Sequence, residues 1–162
     1  MTHVRPHLWA LLLVLACLTL PFTRAQAQSD EAFILYRQRV MQSNGAHAGA
    51  VGEILKNKLA YQSLHIVNHA KAINLNSALI DEAFKKEVTA GKTDAKPEIW
   101  KEWDKFADAA KGLGEESGKL AEVARSGDME AIGAQVKKLG DTCSNCHKTF
   151  RKPKEESYKQ QQ

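Results

Sequence analysis

Four amphipathic stretches of about 25 residues, separated by short breaks, account for most of the chain beyond Ser29. In the first, Phe33, Arg37, Val40, Met41, Asn44, Ala48, Val51 and Leu55 recur at intervals of three and four, marking a helix over about 30–58. The second, about 62–89, carries Val67, Ala70, Ile73, Ile80, Phe84 and Val88 in the same rhythm. "AGKTDAKP" then breaks the pattern, with Pro97 suited to the start of the next helix. That third stretch, about 97–125, bears Trp100, Trp103, Phe106, Ala110, Leu113, Leu120 and Val123. Gly127 suits a helix terminator and Asp128 an N-cap, after which Met129, Ile132, Val136, Leu139, Cys143, Cys146 and Phe150 form the fourth stretch. Strand-like alternation of useful length is absent, as are repeats and a Gly-rich phosphate loop. The expected fold is all-α, an antiparallel four-helix bundle.

Ahead of the first stretch, "LWALLLVLACLTL" follows a short basic segment and precedes "AQA", Ala25 to Ala27. A basic start, an apolar run too short to span a bilayer and small residues at cleavage spacing predict an export signal over 1–27. Processing as a lipoprotein at Cys17 ranks second, because the apolar run continues past it. The expected organisation is therefore signal 1–27, helical domain 28–154 and polar tail 155–162, the tail frayed. Losing Arg5 and Arg24 with the signal leaves 21 of the 23 basic side chains against 19 acidic ones, a net charge of +2. No dense basic patch points to nucleic acid. Cys17 leaves too, so only Cys143 and Cys146 remain, too few for a disulfide framework.

Those two thiols stand in "CSNCH", Cys143 to His147. Structural zinc commonly draws on four ligands, and no second pair of cysteines is present. A redox dithiol of the thioredoxin kind belongs near a βαβ unit, which the pattern lacks. Covalent haem needs two thiols for thioethers and an adjacent imidazole for iron, all supplied here. The segment predicts one haem c, attached through Cys143 and Cys146 with His147 on the iron, in an exported and hence periplasmic protein.

Taken with "YRQ" (Tyr36 to Gln38) in the first helix and "KPEIW" (Lys96 to Trp100) opening the third, "CSNCHKTFR" closing the fourth resembles the class II c-type cytochromes, the cytochrome c-prime family of four-helix bundles. The resemblance implies His147 as proximal ligand, Arg37 near the haem propionates and Arg151 beside the proximal pocket. It further implies that the residue four past Arg37 decides the branch. An apolar or aromatic residue there leaves iron open to gases, whereas methionine gives a low-spin electron carrier of the cytochrome c-556 type. This chain has Met41.

Helix geometry bears on the same choice. Met129 lies 18 residues before His147 on one helix, about 27 Å away, so it is expected in the core and not on the iron. Met41 is about 16 Å from the start of the first helix, which lies beside the end of the fourth in an antiparallel bundle. His65 and His69, at i and i+4, are read as surface or interface histidines, without an obvious carboxylate to complete a metal site. Phe33, Arg37, Ile80, Phe84, Trp100, Trp103 and Phe106 are expected near the haem end. Gly45, Gly49 and Gly52 leave open whether helix or haem approaches closely. The expected function is one-electron transfer by a six-coordinate His147/Met41 haem, without enzymatic chemistry; binding of nitric oxide or carbon monoxide is the alternative. Expected partners are redox proteins, acidic ones steered by Lys137, Lys138, Lys148, Arg151, Lys152 and Lys154. No membrane span is expected after the signal, and the chain is a monomer or a homodimer.

Overall fold

The computed structural model describes residues 29–56 and 63–160. The expected signal lies outside them. Among the described residues the long helices are α1 (Asp30–Leu55), α2 (Ser63–Phe84), α4 (Trp103–Val123) and α5 (Met129–Phe150), with a single-turn α3 (Glu98–Lys101) before α4. α2 packs along α1 and α4, and α4 along α5, giving the expected four-helix bundle. No helix of the described residues is long and apolar enough to cross a membrane.

Local chemistry accounts for the helix ends. Ser29 accepts a hydrogen bond from the Ala32 amide at the start of α1, with Asp30 and Glu31 in the first turn against the helix dipole. Gly127 takes the left-handed conformation at φ +73°, and Asp128 then accepts from the Glu130 and Ala131 amides to open α5. The third stretch is not continuous as expected. Glu102, at φ −123° and ψ 47°, interrupts it between α3 and α4. The second stretch also stops early, at Phe84, because Arg37 takes the carbonyls of Ala83, Lys86 and Val88 away from any further turn.

A continuous apolar core runs from Val51, Ile54 and Ile66 to Phe84, Phe106 and Phe150. Where α2 meets α4, a Cβ on Gly114 would lie 2.6 Å from the Ser77 hydroxyl oxygen, so this glycine sets the close approach of those helices. Gly45, Gly49 and Gly52 do not: an added Cβ there meets no protein atom within 4 Å. Met129 is 39 % exposed at the first turn of α5, not in the core, because it stands at the helix start beside its Asp128 cap.

One short stitch ties the chain across the bundle end. Ala95 and Arg151 form an isolated antiparallel bridge, with the Lys96 amide donating to Phe150 and the Lys152 amide to Asp94 at 3.0 and 2.8 Å. The tail is not frayed over 154–160. Asp94 accepts from the Ser157 hydroxyl at 3.0 Å and the Tyr158 amide at 3.1 Å, and Ser157 is buried.

Candidate functional site: a cavity between the first and last helices

α1 and α5 barely touch along their length. Between them, at the end marked by the Ala95–Arg151 stitch, lies a cavity of about 360 Å³. Its α1 wall carries Ile34, Arg37 and Met41; its α5 wall carries Cys146, His147, Phe150 and Arg151. Phe84, Ile99 and Phe106 form its inner surface, and the loop Thr93–Ala95 with Tyr158 closes one side.

The aromatic floor is tightly linked. Phe106 sits 5.1 Å from Phe84, 5.6 Å from Trp103 and 5.4 Å from Phe150, the last edge-on. Trp103 supports this floor from behind, and Trp100 anchors its indole N–H on the Phe84 carbonyl at 2.8 Å. Of the side chains expected near this end, Arg37, Phe84 and Phe106 line the cavity itself; Phe33, Ile80, Trp100 and Trp103 do not.

Arg37 is buried at 3 % exposure. Its Nε donates to Ala83 at 2.9 Å, one terminal nitrogen to Val88 at 3.0 Å and the other to Lys86. The guanidinium also lies 5.0 Å from the Phe84 ring centre and 5.1 Å from that of Trp100. It closes the end of α2 by donating to the Ala83 carbonyl of its last turn and to the Lys86 and Val88 carbonyls of the segment just beyond. Next to it, Gln38 donates to Lys92 at 2.8 Å, so α1 holds the whole 83–92 segment in place.

On α5, Cys143 and Cys146 lie one turn apart, each half-buried and packed against the core. Burial raises both thiol pKa values, that of Cys146 to about 11, with the neighbouring Cys143 adding to the effect. Both are neutral S–H groups at neutral pH. His147 has a more open surface than either, yet the surrounding protein still desolvates its ring and lowers its pKa, assisted by the charge of Arg151. A neutral imidazole is the form that ligates a metal. Arg151 is held aside by Asp94 at 3.2 Å.

This donor set discriminates between the chemistries open to a CxxCH. Zinc draws on deprotonated thiolates and commonly four ligands, but among the described residues no cluster of three or more His, Cys, Asp or Glu surrounds these thiols. Two half-buried thiols one turn apart, packed against an apolar core beside an imidazole, instead suit a planar apolar group joined through sulfur. A model of the family described as "Cytochrome C'" matches residues 32–151. The chain belongs to the cytochrome c′ family. Cytochrome c′ of Rhodospirillum rubrum is 40 % identical over 131 residues, 80 % of this chain and 88 % of that protein. Cytochrome c-556 of Rhodopseudomonas palustris is 26 % identical over 148 residues, 86 % and 94 % of the two. A nitric oxide complex of a cytochrome c prime variant from Alcaligenes xylosoxidans superposes with a TM-score of 0.69 at 28 % identity, covering 78 % of this chain and 98 % of that one. As a cytochrome c′ family member the chain is a c-type cytochrome, and Cys143, Cys146 and His147 stand where that class carries its haem-attachment motif.

Among the described residues, the histidines outside the motif stay away from the cavity. His47 and His69 meet across α1 and α2 with their Nδ1 atoms 2.9 Å apart, and His65 remains exposed one turn before His69. Sequence reasoning missed Asp94 and Tyr158, both cavity residues. The one available signal for Asp94 was an acidic residue inside a Gly-to-Pro break otherwise rich in lysine.

Proposed function

We propose that the protein is a periplasmic electron-transfer cytochrome holding one haem c through Cys143 and Cys146, with His147 and Met41 as its two axial ligands. The observation that carries this reading is that Met41 and His147 line one cavity from facing helices. The haem supplies one-electron exchange between ferric and ferrous iron. The residues supply the rest. The Met41 thioether is a soft neutral donor that favours the ferrous form, and a filled coordination shell needs little rearrangement when charge changes. The aromatic floor of Phe84, Phe106 and Phe150 excludes water from the inner face. Arg37 spends three of its five N–H groups on carbonyls, and the remaining two are available to a propionate. Arg151 flanks the imidazole side, and the export signal read from residues 1–27 supports a periplasmic location.

A second reading, reversible binding of nitric oxide or carbon monoxide at an open iron, is favoured by the names of relatives. The 40 % identical R. rubrum protein is called cytochrome c′, and the A. xylosoxidans structure is a nitric oxide complex. Optical spectra of the wild type beside Met41→Ala separate the two. The expected outcome is a low-spin wild type indifferent to carbon monoxide and a five-coordinate variant that binds it. A wild type already high-spin and shifted by carbon monoxide assigns the protein to gas binding.

A further inference from the structure

Beside the cavity, sharing His147, Arg151 and Lys159 with it, opens a second cleft of about 720 Å³. Six cations line it, Lys96, Lys148, Arg151, Lys152, Lys154 and Lys159, and no carboxylate does. Five of them lie within residues 148–159, the end of α5 and the tail that Asp94 folds back, and Lys96 joins them from the loop before α3. The fold adds Lys96 and turns the tail back so that these charges share one cleft.

These cations are paired less often than the described lysines outside the cleft, where Lys71, Lys85, Lys92 and Lys138 also lack a carboxylate within 4 Å but most have one. Lys56, Lys86, Lys101, Lys105, Lys111, Lys119 and Lys137 each have a carboxylate within 4 Å, so seven lysines elsewhere are locally neutralised. In the cleft only Arg151 is paired, with Asp94, while Lys96 and Lys152 donate to the Lys148 and Thr93 carbonyls, which leave their charge intact. Among the described residues, Lys148, Lys154 and Lys159 have no acidic partner. Like charges held together without counter-charge raise the local potential and draw in an anionic partner. A free phosphate would need one built pocket. Ammonium groups spread along an open rim instead match carboxylates spread over a protein face.

We propose that this cleft is the docking surface for the acidic face of a soluble redox protein, which approaches the haem past His147. The inference rests on the electron-transfer reading above. In the exchange one electron leaves the ferrous protein and one is gained by the oxidant, with no proton or bond transferred.

The test uses the haem-loaded protein. Stopped-flow oxidation by hexacyanoferrate(III), which becomes hexacyanoferrate(II), is compared with oxidation by tris(phenanthroline)cobalt(III). Combined Lys148→Glu, Lys154→Glu and Lys159→Glu is expected to slow the anionic oxidant by roughly tenfold at low salt, to speed the cationic one, and to flatten both salt dependences. A control with Lys56, Lys105 and Lys111 changed to Glu alters net charge equally and is expected to leave both rates within about twofold of wild type. Titration with poly-L-glutamate is expected to shift backbone amide resonances around 96, 144–154 and 157–160, and phosphate at equal ionic strength to leave them in place. Equal effects of the two triple variants, unchanged rates in the cleft variant, or shifts induced by phosphate alone would each overturn the docking surface. A protein that neither oxidant oxidises fails the electron-transfer reading instead.

Discussion

The cavity end of the bundle and the outward faces of α1 and α2 are built on opposite terms. At the cavity end, polar groups remote in sequence are tied together: Arg37 to three carbonyls, Asp94 to Arg151 and the tail, Trp100 to Phe84. The outward faces of α1 and α2 instead leave Leu35, Tyr36, Leu64, Leu75 and Leu79 exposed, Leu75 by 72 %. α4 and α5, by contrast, segregate apolar from charged residues sharply. Precise polar ties mark the place where a group must be held in one geometry; apolar exposure marks a place with no such demand inside the single chain.

Substitutions should break the two regions unequally. The largest effect is expected from Arg37→Leu, which leaves buried carbonyls unpaired at roughly 1–3 kcal/mol each; a loss of about 3 kcal/mol by urea unfolding is expected. Arg37→Lys keeps a charge but not the fork, and should fall between. Asp94→Ala comes next. It frees Arg151 and the tail at an expected cost of about 1–2 kcal/mol, with fast hydrogen exchange at the Tyr158 amide while the α1–α2 core stays protected.

The pair of His47 and His69 sharpens the comparison on the other side. Burial, then His47 and His65, lower the His69 pKa in the folded protein. Below the ordinary histidine value the unfolded chain therefore binds more protons, and stability is lost as pH falls through that value toward the lowered one. His69→Gln should flatten this part of the pH–stability curve, read from unfolding midpoints on either side of pH 6.5. The smallest effect is expected at the exposed apolar face: Leu75→Glu should change the unfolding free energy of dilute protein by less than about 0.5 kcal/mol.

Much of the bundle was readable because periodicity is a local signal. Gly127 and Asp128 ended and restarted a helix as their side chains require, and CxxCH placed Cys143, Cys146 and His147 on one turn. The misreadings arose where partners are distant in the chain. Arg37 shortens α2 from about fifty residues away, and Asp94 orders a tail whose composition alone reads as frayed. Met129 was misassigned for a local reason: it falls on the apolar stripe, but in the first turn of α5, where it stays 39 % exposed.

The bridge between Ala95 and Arg151 bears on His147 in a mechanical sense. Most helix ends are cantilevers, free to fray by a turn. Here the terminal turn of α5 is a beam supported at both ends, by the bundle on one side and the loop hydrogen bonds on the other. The backbone that carries His147 therefore stands on a span that resists both unwinding and tilting.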